Sequence, residues 1–567
     1  MFDIILNRGN DLTEFFWPLL YYIKQQILLG NGIPLWNTMF FSGTPLLPDP
    51  QNLFIYPLNI IFLILPIDTG ILTSILLHLI IAFFGMYQLL RIGNASKRVG
   101  IIVAILYSLS PKLFSYIEAG HLGLIQSWAF IPWVYWATVN LCKQSLPLRS
   151  KKKDLKSILL LSLFLYLVYS SHILIFAILV VTNFLLLLTL QKKTIVMFLI
   201  SHIILLLFSL PILIPQIKWQ PQTTRELLLQ NPETYPVWQG KREFIKNLFV
   251  ASQDTEKNIT PGIVILLLAS IGFIKSNKKM KIYVLISASV ITLLALNVLK
   301  YDWFVLFRVS TRFWFPMIII CLYLAAKGLD TLRSKQKLFI FVGLIALLEY
   351  IAIGKYILSK PIKEIPKTPV AIIEFLKKDK DIYRVFCLNK CIRQKDAAIH
   401  NIELVEGYGT LQQKNYFDYS QQLAQGYWEK KYTLSLPPFQ NYIYEKFKPY
   451  PPALASYRVK YIISPYELDI KSLDLIEKQD SYFIYRNVLY VNPNYEIYEP
   501  NFIRVKISKE LNELIIPEVY NPDWNAYLNG VKKVKVYESV DKTRAVQIES
   551  DTKFVDFKYE PFSFFLQ

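Results

Sequence analysis

Two carboxylates three residues apart, Asp11 and Glu14 in NDLTEFFWP, stand at the head of an aromatic, apolar run. A positioned carboxylate can take a proton from a hydroxyl as that oxygen attacks an electrophile, and the i, i+3 spacing turns the second acid to the same helical face. The same letters spell a D-x-x-E capping box, which closes a first helical turn and does no chemistry. Taken alone, the residues favour the cap. Glu118 and His121 in IEAGHLG set a carboxylate and an imidazole at the edge of an apolar run, where they suit hydroxyl ligands and ordinary interfacial polarity equally well. Arg308 and Arg312 lie i, i+4 in FRVSTRFWFP; their guanidinium forks match phosphate bidentately, although arginines also snorkel at helix ends. Asp49, between prolines in LPDPQ, is a lesser candidate for an acceptor or metal contact, in a setting where turns recruit Asp. His78 and His202 fall inside apolar runs and read as packed, hydrogen-bonded side chains rather than ligands.

The elements that must hold these groups are membrane helices. The chain has 567 residues, 53% hydrophobic and 18% charged, with a mean hydropathy of +0.33, well to the apolar side of a soluble protein. Runs that cross, or nearly cross, the roughly 30 Å hydrocarbon layer fall at 71–90, 99–113, 122–141, 158–170, 173–190, 194–213, 260–274, 282–299, 304–326 and 338–357, which makes about ten helices. Residues 158–190 read as one long span or as two hinged at Ser170, Ser171 and His172. Alternate loops such as RIGNASKR, KQSLPLRSKKKDLK, KSNKKMK and KGLDTLRSKQK are dense in Lys and Arg, which makes them cytoplasmic. Two spans there keep the alternation intact. The other set then faces out, with residues 1–69, the 216–258 loop and everything after about Ser359. A net charge of +20 placed in such loops sets orientation, and no basic soluble domain with interleaved aromatics points to nucleic acid.

The expected fold is a polytopic α-helical membrane protein with an extracytoplasmic C-terminal module. Residues 1–69 form a first outer loop, 70–358 the helical domain, 359–500 a mixed α/β region, and 501–567 a small antiparallel β-sandwich with strands broken at NPD, NG and SDT. In the first loop, Leu12, Phe16, Leu19, Ile23 and Ile27 form one stripe of a helix over 12–29, kinked by Pro18 and lying along the membrane surface. The Gly-, Pro- and Asn-rich run that follows is an ordered loop over the spans. Four cysteines and five histidines, widely scattered, give no zinc ligand set. Cys387 and Cys391 read as free thiols before a disulfide.

Several stretches resemble one family throughout the chain: GNDL before an amphipathic helix, IPLWN followed by FSGTPLL and DPQ, AGHLGLIQSWAFIPWVYWA, FRVSTRFWFP, SYRVKYII, and the terminal VYNPDWNAYLNG with RAVQI and VDFKYEPFSF. The family is the YfhO type of bacterial membrane protein, within the GT-C superfamily of glycosyltransferases. The resemblance implies transfer of a sugar from a polyprenyl-phosphate carrier to a cell-envelope acceptor on the outer face of the cytoplasmic membrane. It implies Asp11 as general base, with Glu14 as its helper or cap partner, and Arg308 or Arg312 as phosphate clamp. Trp36, Asn37, Asp49, Glu118 and His121 are the expected substrate contacts. No cofactor is specified, and a divalent cation stays open. Members of the family begin with a transmembrane helix ahead of the acidic segment, whereas about ten residues precede Asp11 here. The resemblance therefore leads one to expect a helix upstream, or a loop that inserts by following its neighbours.

Two other readings stand beside the enzyme. A flippase of lipid-linked sugar calls for charged residues at mid-membrane and internal repeats, and the sequence has neither. A non-catalytic, membrane-anchored glycan-binding protein would place its function in the Tyr-rich outer module.

Overall fold

The structure is a computed structural model describing residues 5–6, 8, 10–51, 55–144, 151–190, 194–230, 240–298, 309–362, 367–388, 390–409, 411–425, 434–436, 448–479, 481–508 and 511–561. Its contacts form two compact units. The first comprises Met1–Leu12, Leu53–Leu210 and Pro232–Lys363, and the second Thr13–Asn52, Pro211–Asn231 and Glu364–Gln567.

The first unit is a helix bundle: α1 (Ile67–Ile92), α2 (Lys97–Ser108), α3 (Pro111–Ala119), α4 (Leu122–Gln144), α5 (Lys151–Ser171), α6 (Ile173–Leu190), α7 (Ile195–Trp219, up to Leu210 in this unit), α8 (Ile263–Ile274), α9 (Lys278–Ala295), α10 (Phe315–Asp330) and α11 (Gln336–Leu358). Each of the ten expected runs is built on a helix. Among the described residues, however, six helical stretches are long and apolar enough to cross a membrane: 67–92, 97–119, 154–171, 195–222, 310–330 and 336–358. The run expected at 99–113 breaks at Leu109, and Ser110 starts a fresh helix by accepting the Leu113 N–H at 3.4 Å. The 158–190 run is two helices parted at His172.

Helix α1 packs on α2 and α4, α4 on α5 and α6, α3 on α11, and α8 on α10. The last pair meets backbone to backbone, since a Cβ built on Gly272 would lie 1.9 Å from the Leu324 carbonyl oxygen. Small residues allow that approach where lipid supplies no hydrophobic drive between helices. Leu199, Ile203, Leu206, Leu207 and Phe208 of α7 remain exposed, an apolar face suited to hydrocarbon. The two helix histidines are packed as expected: His78 Nε2 meets Tyr56 Oη at 2.6 Å, and His202 Nδ1 bonds the Phe198 carbonyl at 2.7 Å.

The second unit joins the first loop to the C-terminal module. The chain passes through a π-helical turn, Leu12–Phe16, directly into the α-helix Trp17–Leu28, with Pro18 in the first α-turn. The irregularity expected at Pro18 falls at this π-to-α switch. The expected lipid-facing stripe is corrected: Phe16, Leu19 and Ile23 are buried, and the helix packs on the helix Gln394–His400, with Lys395 over the Trp17 ring at 4.3 Å. Strands β1 (Trp36–Asn37) and β2 (Thr44–Pro45) form a short hairpin. The loop between them bonds alongside 404–406, through Leu404 N to Met39 O at 2.8 Å and Phe41 N to Glu406 O at 3.2 Å.

The α/β part carries a five-stranded mixed sheet in the order β4-β3-β7-β9-β8: β3 (Arg384–Cys387), β4 (Glu403–Leu404), β7 (Val459–Ser464), β8 (Leu473–Gln479) and β9 (Tyr482–Asn487). Strands β5 (Gly407–Tyr408) and β6 (Ser435–Leu436) pair separately. Then come β10 (Tyr495–Glu499), β11 (Phe502–Lys506), β12 (Glu513–Val519), β13 (Trp524–Leu528), β14 (Lys532–Val534), β15 (Tyr537–Glu538), β16 (Thr543–Gln547) and β17 (Phe554–Tyr559). They make two antiparallel sheets, β10-β11-β17-β13-β14 and β12-β16-β15. The sheet opens at Tyr495, a few residues ahead of the expected boundary at 501. Asn529 and Gly530, both at positive φ, supply the NG turn between β13 and β14.

Arg384 and Arg458 both reach Glu518, at 2.6 and 2.8 Å, and tie the mixed sheet to β12. All three are buried. Cys387 and Cys391 form a disulfide across Cα atoms 5.8 Å apart, a separation a bridge can close. This corrects the free-thiol reading; Cys142 and Cys321 are free.

Candidate active site

One turn of chain organises the site in the helical unit. Helix α3 ends at Gly120 in the left-handed region, φ 73°, a conformation that suits glycine. A Cβ there would lie 2.5 Å from the Leu12 backbone nitrogen and 2.6 Å from Asn10 Oδ1. The glycine thus lets the Asn10–Leu12 segment lie directly on the turn. Asn10 fastens it by donating from Nδ2 to the Glu118 carbonyl at 2.8 Å, while its Oδ1 accepts the Leu12 N–H at 3.1 Å. The side chain that caps this segment is therefore Asn10, and the Asp11 carboxylate reaches His121, with Oδ2 3.2 Å from Nε2. Asp11 is 29% exposed and His121 16%. His121 Nδ1 and Tyr116 Oη find no hydrogen-bond partner among the described residues.

Glu118 is a tie point. Oε1 takes Arg8 Nη1 at 3.2 Å, and Oε2 takes Thr255 Oγ1 at 3.2 Å and Lys360 Nζ at 3.4 Å. Arg8 also donates to the Leu358 and Lys360 carbonyls. One carboxylate thereby joins the Asp11 segment, the end of α11 and the 252–258 loop.

That loop is pinned to α3. Lys112 Nζ donates to the Thr255 carbonyl at 2.6 Å, and Asn258 Nδ2 to the Pro111 carbonyl at 3.1 Å and Ser115 Oγ at 2.7 Å. Asp254 accepts the Glu256 N–H at 3.0 Å. The loop presents Glu256 to Arg312, whose Nε donates to both carboxylate oxygens at 3.1 Å while Nη2 bonds Oε1. Burial alone would raise the Glu256 carboxyl, but Arg312, with Lys112 and His121 adding to it, holds it well below the usual carboxylate range. His172, at the α5–α6 break, is pushed well below the usual imidazole range by burial and by the nearby Arg312 and His121.

Of the residues singled out in the sequence, the first unit brings Asp11, Glu118 and His121 together around the α3 turn. Glu118 links them to the loop of Glu256, and so to Arg312, through Thr255. Arg308 lies outside the described residues. Glu14, Trp36, Asn37 and Asp49 belong to the second unit. Glu14 stands 3.7 Å from Arg393, and burial raises its carboxyl against that cation. Trp36 is fully buried, its ring 5.5 Å from Trp524, 5.2 Å from Tyr559 and 5.0 Å from the Arg544 guanidinium. Asn37 accepts the Met39 N–H at 2.9 Å in a turn. Asp49 accepts the Gln51 N–H at 2.9 Å, and burial lifts its carboxyl to about 7 against the pull of that bond and of Arg225.

Glu256, Lys112, His172 and Arg8 were not anticipated. Lys112 left a signal, a lone cation within an apolar, helix-forming stretch, where an unpaired charge is costly. Glu256 left none, because its partner lies 56 residues away. Among the described residues, no group of three or more His, Cys, Asp or Glu is placed to hold a metal ion.

No protein-family model matches the chain, and no curated protein does. Solved structures do. Arabinofuranosyltransferase AftD from Mycobacteria superposes with a TM-score of 0.53 at 12% identity, over 89% of this chain and 40% of AftD. The apo oligosaccharyltransferase of Archaeoglobus fulgidus gives a TM-score of 0.47 at 11% identity, over 81% of this chain and 67% of that one. The chain thus spans less than half the length of AftD. What the likeness to AftD shows is the fold alone: this chain's apolar helical region and β-rich C-terminal region are arranged in a fold similar to that of AftD.

Proposed function

We propose that this chain is a membrane glycosyltransferase of the GT-C type, YfhO-like in its motifs, which moves a sugar from a polyprenyl-phosphate carrier to an acceptor of the cell envelope. The observation that carries this reading is the Asp11–His121 pair, held at 3.2 Å on the Gly120 turn and partly open to solvent among otherwise buried polar side chains. A general base needs that combination of fixed geometry and access.

In the proposed step the acceptor O–H gives its proton to the Asp11 carboxylate as its oxygen bonds the anomeric carbon. The bond from that carbon to the carrier's phosphate oxygen breaks, and its electron pair leaves with the phosphate. His121 orients the carboxylate. Arg312 and Lys112 supply positive charge toward the departing phosphate. By the Lys and Arg alternation of the loops, this end of the bundle faces away from the cytoplasm. The Cys387–Cys391 disulfide suits a C-terminal module on an oxidising side.

The test is transfer by the full chain in lipid nanodiscs, supplied with polyprenyl-phosphate sugars extracted from the source membranes. Asp11→Asn keeps the side chain's shape, so the protein should melt as the wild type does while transfer falls by roughly 10² to 10⁴, the range of a positioned base. A wild-type rate from folded Asp11→Asn would overturn the reading.

A further inference from the structure

The Arg312–Glu256 pair poses a question that the proposed reaction leaves unanswered. Arg312 is the described arginine placed to meet a carrier's phosphate, yet its fork is already closed on a carboxylate, with the two side chains 9% and 13% exposed. A bidentate guanidinium–carboxylate contact uses the same donors, in the same plane, as a guanidinium–phosphate contact. The surroundings of Glu256 are those of an anion site in general. Arg312 bonds it directly and Lys112 adds positive charge nearby, and the hydroxyls of Ser310 and Thr311, next to Arg312 in the chain, have no hydrogen-bond partner among the described residues.

Glu256 also sits on a segment able to withdraw it. Its own side chain bonds Arg312, whereas the loop's attachment to α3 runs through its neighbours: Thr255 to Glu118 and Ser115, and Asn258 to Pro111 and Ser115. Rotation of the Glu256 side chain would free the Arg312 fork and leave those ties in place.

We infer that Glu256 is a built-in stand-in for the donor phosphate, occupying an anion site for prenyl phosphate monoesters and diesters at Arg312 and Lys112 until the ligand displaces it. The inference rests on the glycosyltransferase reading for the identity of the ligand. It makes Glu256 a gate on donor affinity, set against binding by its own charge. Glu256 has two effects in such a site. It keeps Arg312 compensated while the site is empty, since a buried cation without a partner is strongly destabilising. It also rejects weak anions, because only a ligand that offers more than one carboxylate's worth of contact replaces it.

The experiment measures binding rather than transfer, so its failure is separable from a failure of the Asp11 reading. Geranyl phosphate and inorganic phosphate are titrated by calorimetry into the full chain in nanodiscs, as wild type, Glu256→Gln and Arg312→Ala. Glu256→Gln should bind geranyl phosphate about 10- to 100-fold more tightly than wild type, the factor that freeing one or two charge-assisted contacts yields, and Arg312→Ala should lose that gain. Inorganic phosphate should gain in Glu256→Gln as well but stay weaker, which separates a lipid phosphate site from a free-anion site. Equal or weaker binding of geranyl phosphate by folded Glu256→Gln would overturn the inference, as would an absence of binding in both proteins. Should Glu256→Gln fail to fold, carbodiimide labelling of wild type read by mass spectrometry decides the matter. Saturating geranyl phosphate should raise the labelling of Glu256 several-fold, and unchanged labelling would overturn the inference.

Discussion

Asp11 and His121 meet across 3.2 Å on a turn that a single missing methyl group makes accessible. Gly120 contributes twice, with its φ of 73° and with the space taken up by Asn10 and Leu12. A substitution there acts on the carboxylate's position without touching its chemistry.

Gly120→Ala should therefore lower transfer sharply, by about 10²-fold or more, as displacements near 1 Å at a reacting group do. The strain of the left-handed conformation adds about 1 kcal/mol, a small loss of stability. The KM for donor should move little, because Arg312 and Lys112 lie outside the displaced segment. Steady-state kinetics on Gly120→Ala checks this, and an unchanged turnover number would contradict it.

Asp49 predicts a pH dependence of stability in the second unit. Burial lifts its carboxyl to about 7, whereas an unfolded Asp loses its proton near pH 4. Between those values the folded state holds a proton that the unfolded chain lacks. Stability from this group is full below about pH 4, falls as pH rises toward 7, and is flat beyond. Asp49→Asn keeps the acceptor for the Gln51 N–H and removes the titration. It should melt higher than wild type at pH 8 and equal to it near pH 4, as followed by thermal melts in detergent across that range. A constant difference at all pH values would contradict the burial of an ionising group at this position.

Orientation is checked at the two ends of α11. The helix has 23 residues, about 35 Å at 1.5 Å per residue. It carries Ser334 at one exposed end and Ser359 at the other. In a background with Cys142 and Cys321 replaced by serine, Ser359→Cys should react with a membrane-impermeant maleimide in intact cells. Ser334→Cys should react only after the membrane is opened. The reverse pattern would invert the orientation of the site.

The sequence reveals much of this fold because lipid imposes a simple demand. Among the described residues, six stretches are long and apolar enough to cross a membrane where ten spans are expected, and His78 and His202 pack inside apolar helices. Length is what sets the six apart: 173–189 and 263–274 are apolar helices too short to count among the six candidate spans, whereas 97–119 counts as one despite its break at Leu109. The first loop was misjudged for a different reason. Its apolar stripe has the same periodicity whether it meets lipid or protein, and here Phe16, Leu19 and Ile23 meet protein. Trp36 stands out by its motif, yet the partners of its ring, Trp524, Tyr559 and Arg544, lie about five hundred residues on. Within the site, Asp11 and His121 were both marked as chemically apt, but their pairing depends on the hand of one glycine. Glu256 was invisible because an ion pair between distant loops leaves no periodicity.

The second unit is assembled from chain segments 13–52, 211–231 and 364–567, and this sets a timetable for biogenesis. Trp36 leaves the ribosome early, while the aromatic wall it packs on is completed only with Tyr559. At about 5–20 residues per second that interval is on the order of a minute. The hairpin loop can meet residues 404–406 earlier, but the Trp36 ring stands without its aromatic wall until the end of that interval. Pairing across such a separation is slow by its topology, so premature termination near the C-terminus should damage the N-terminal loop first.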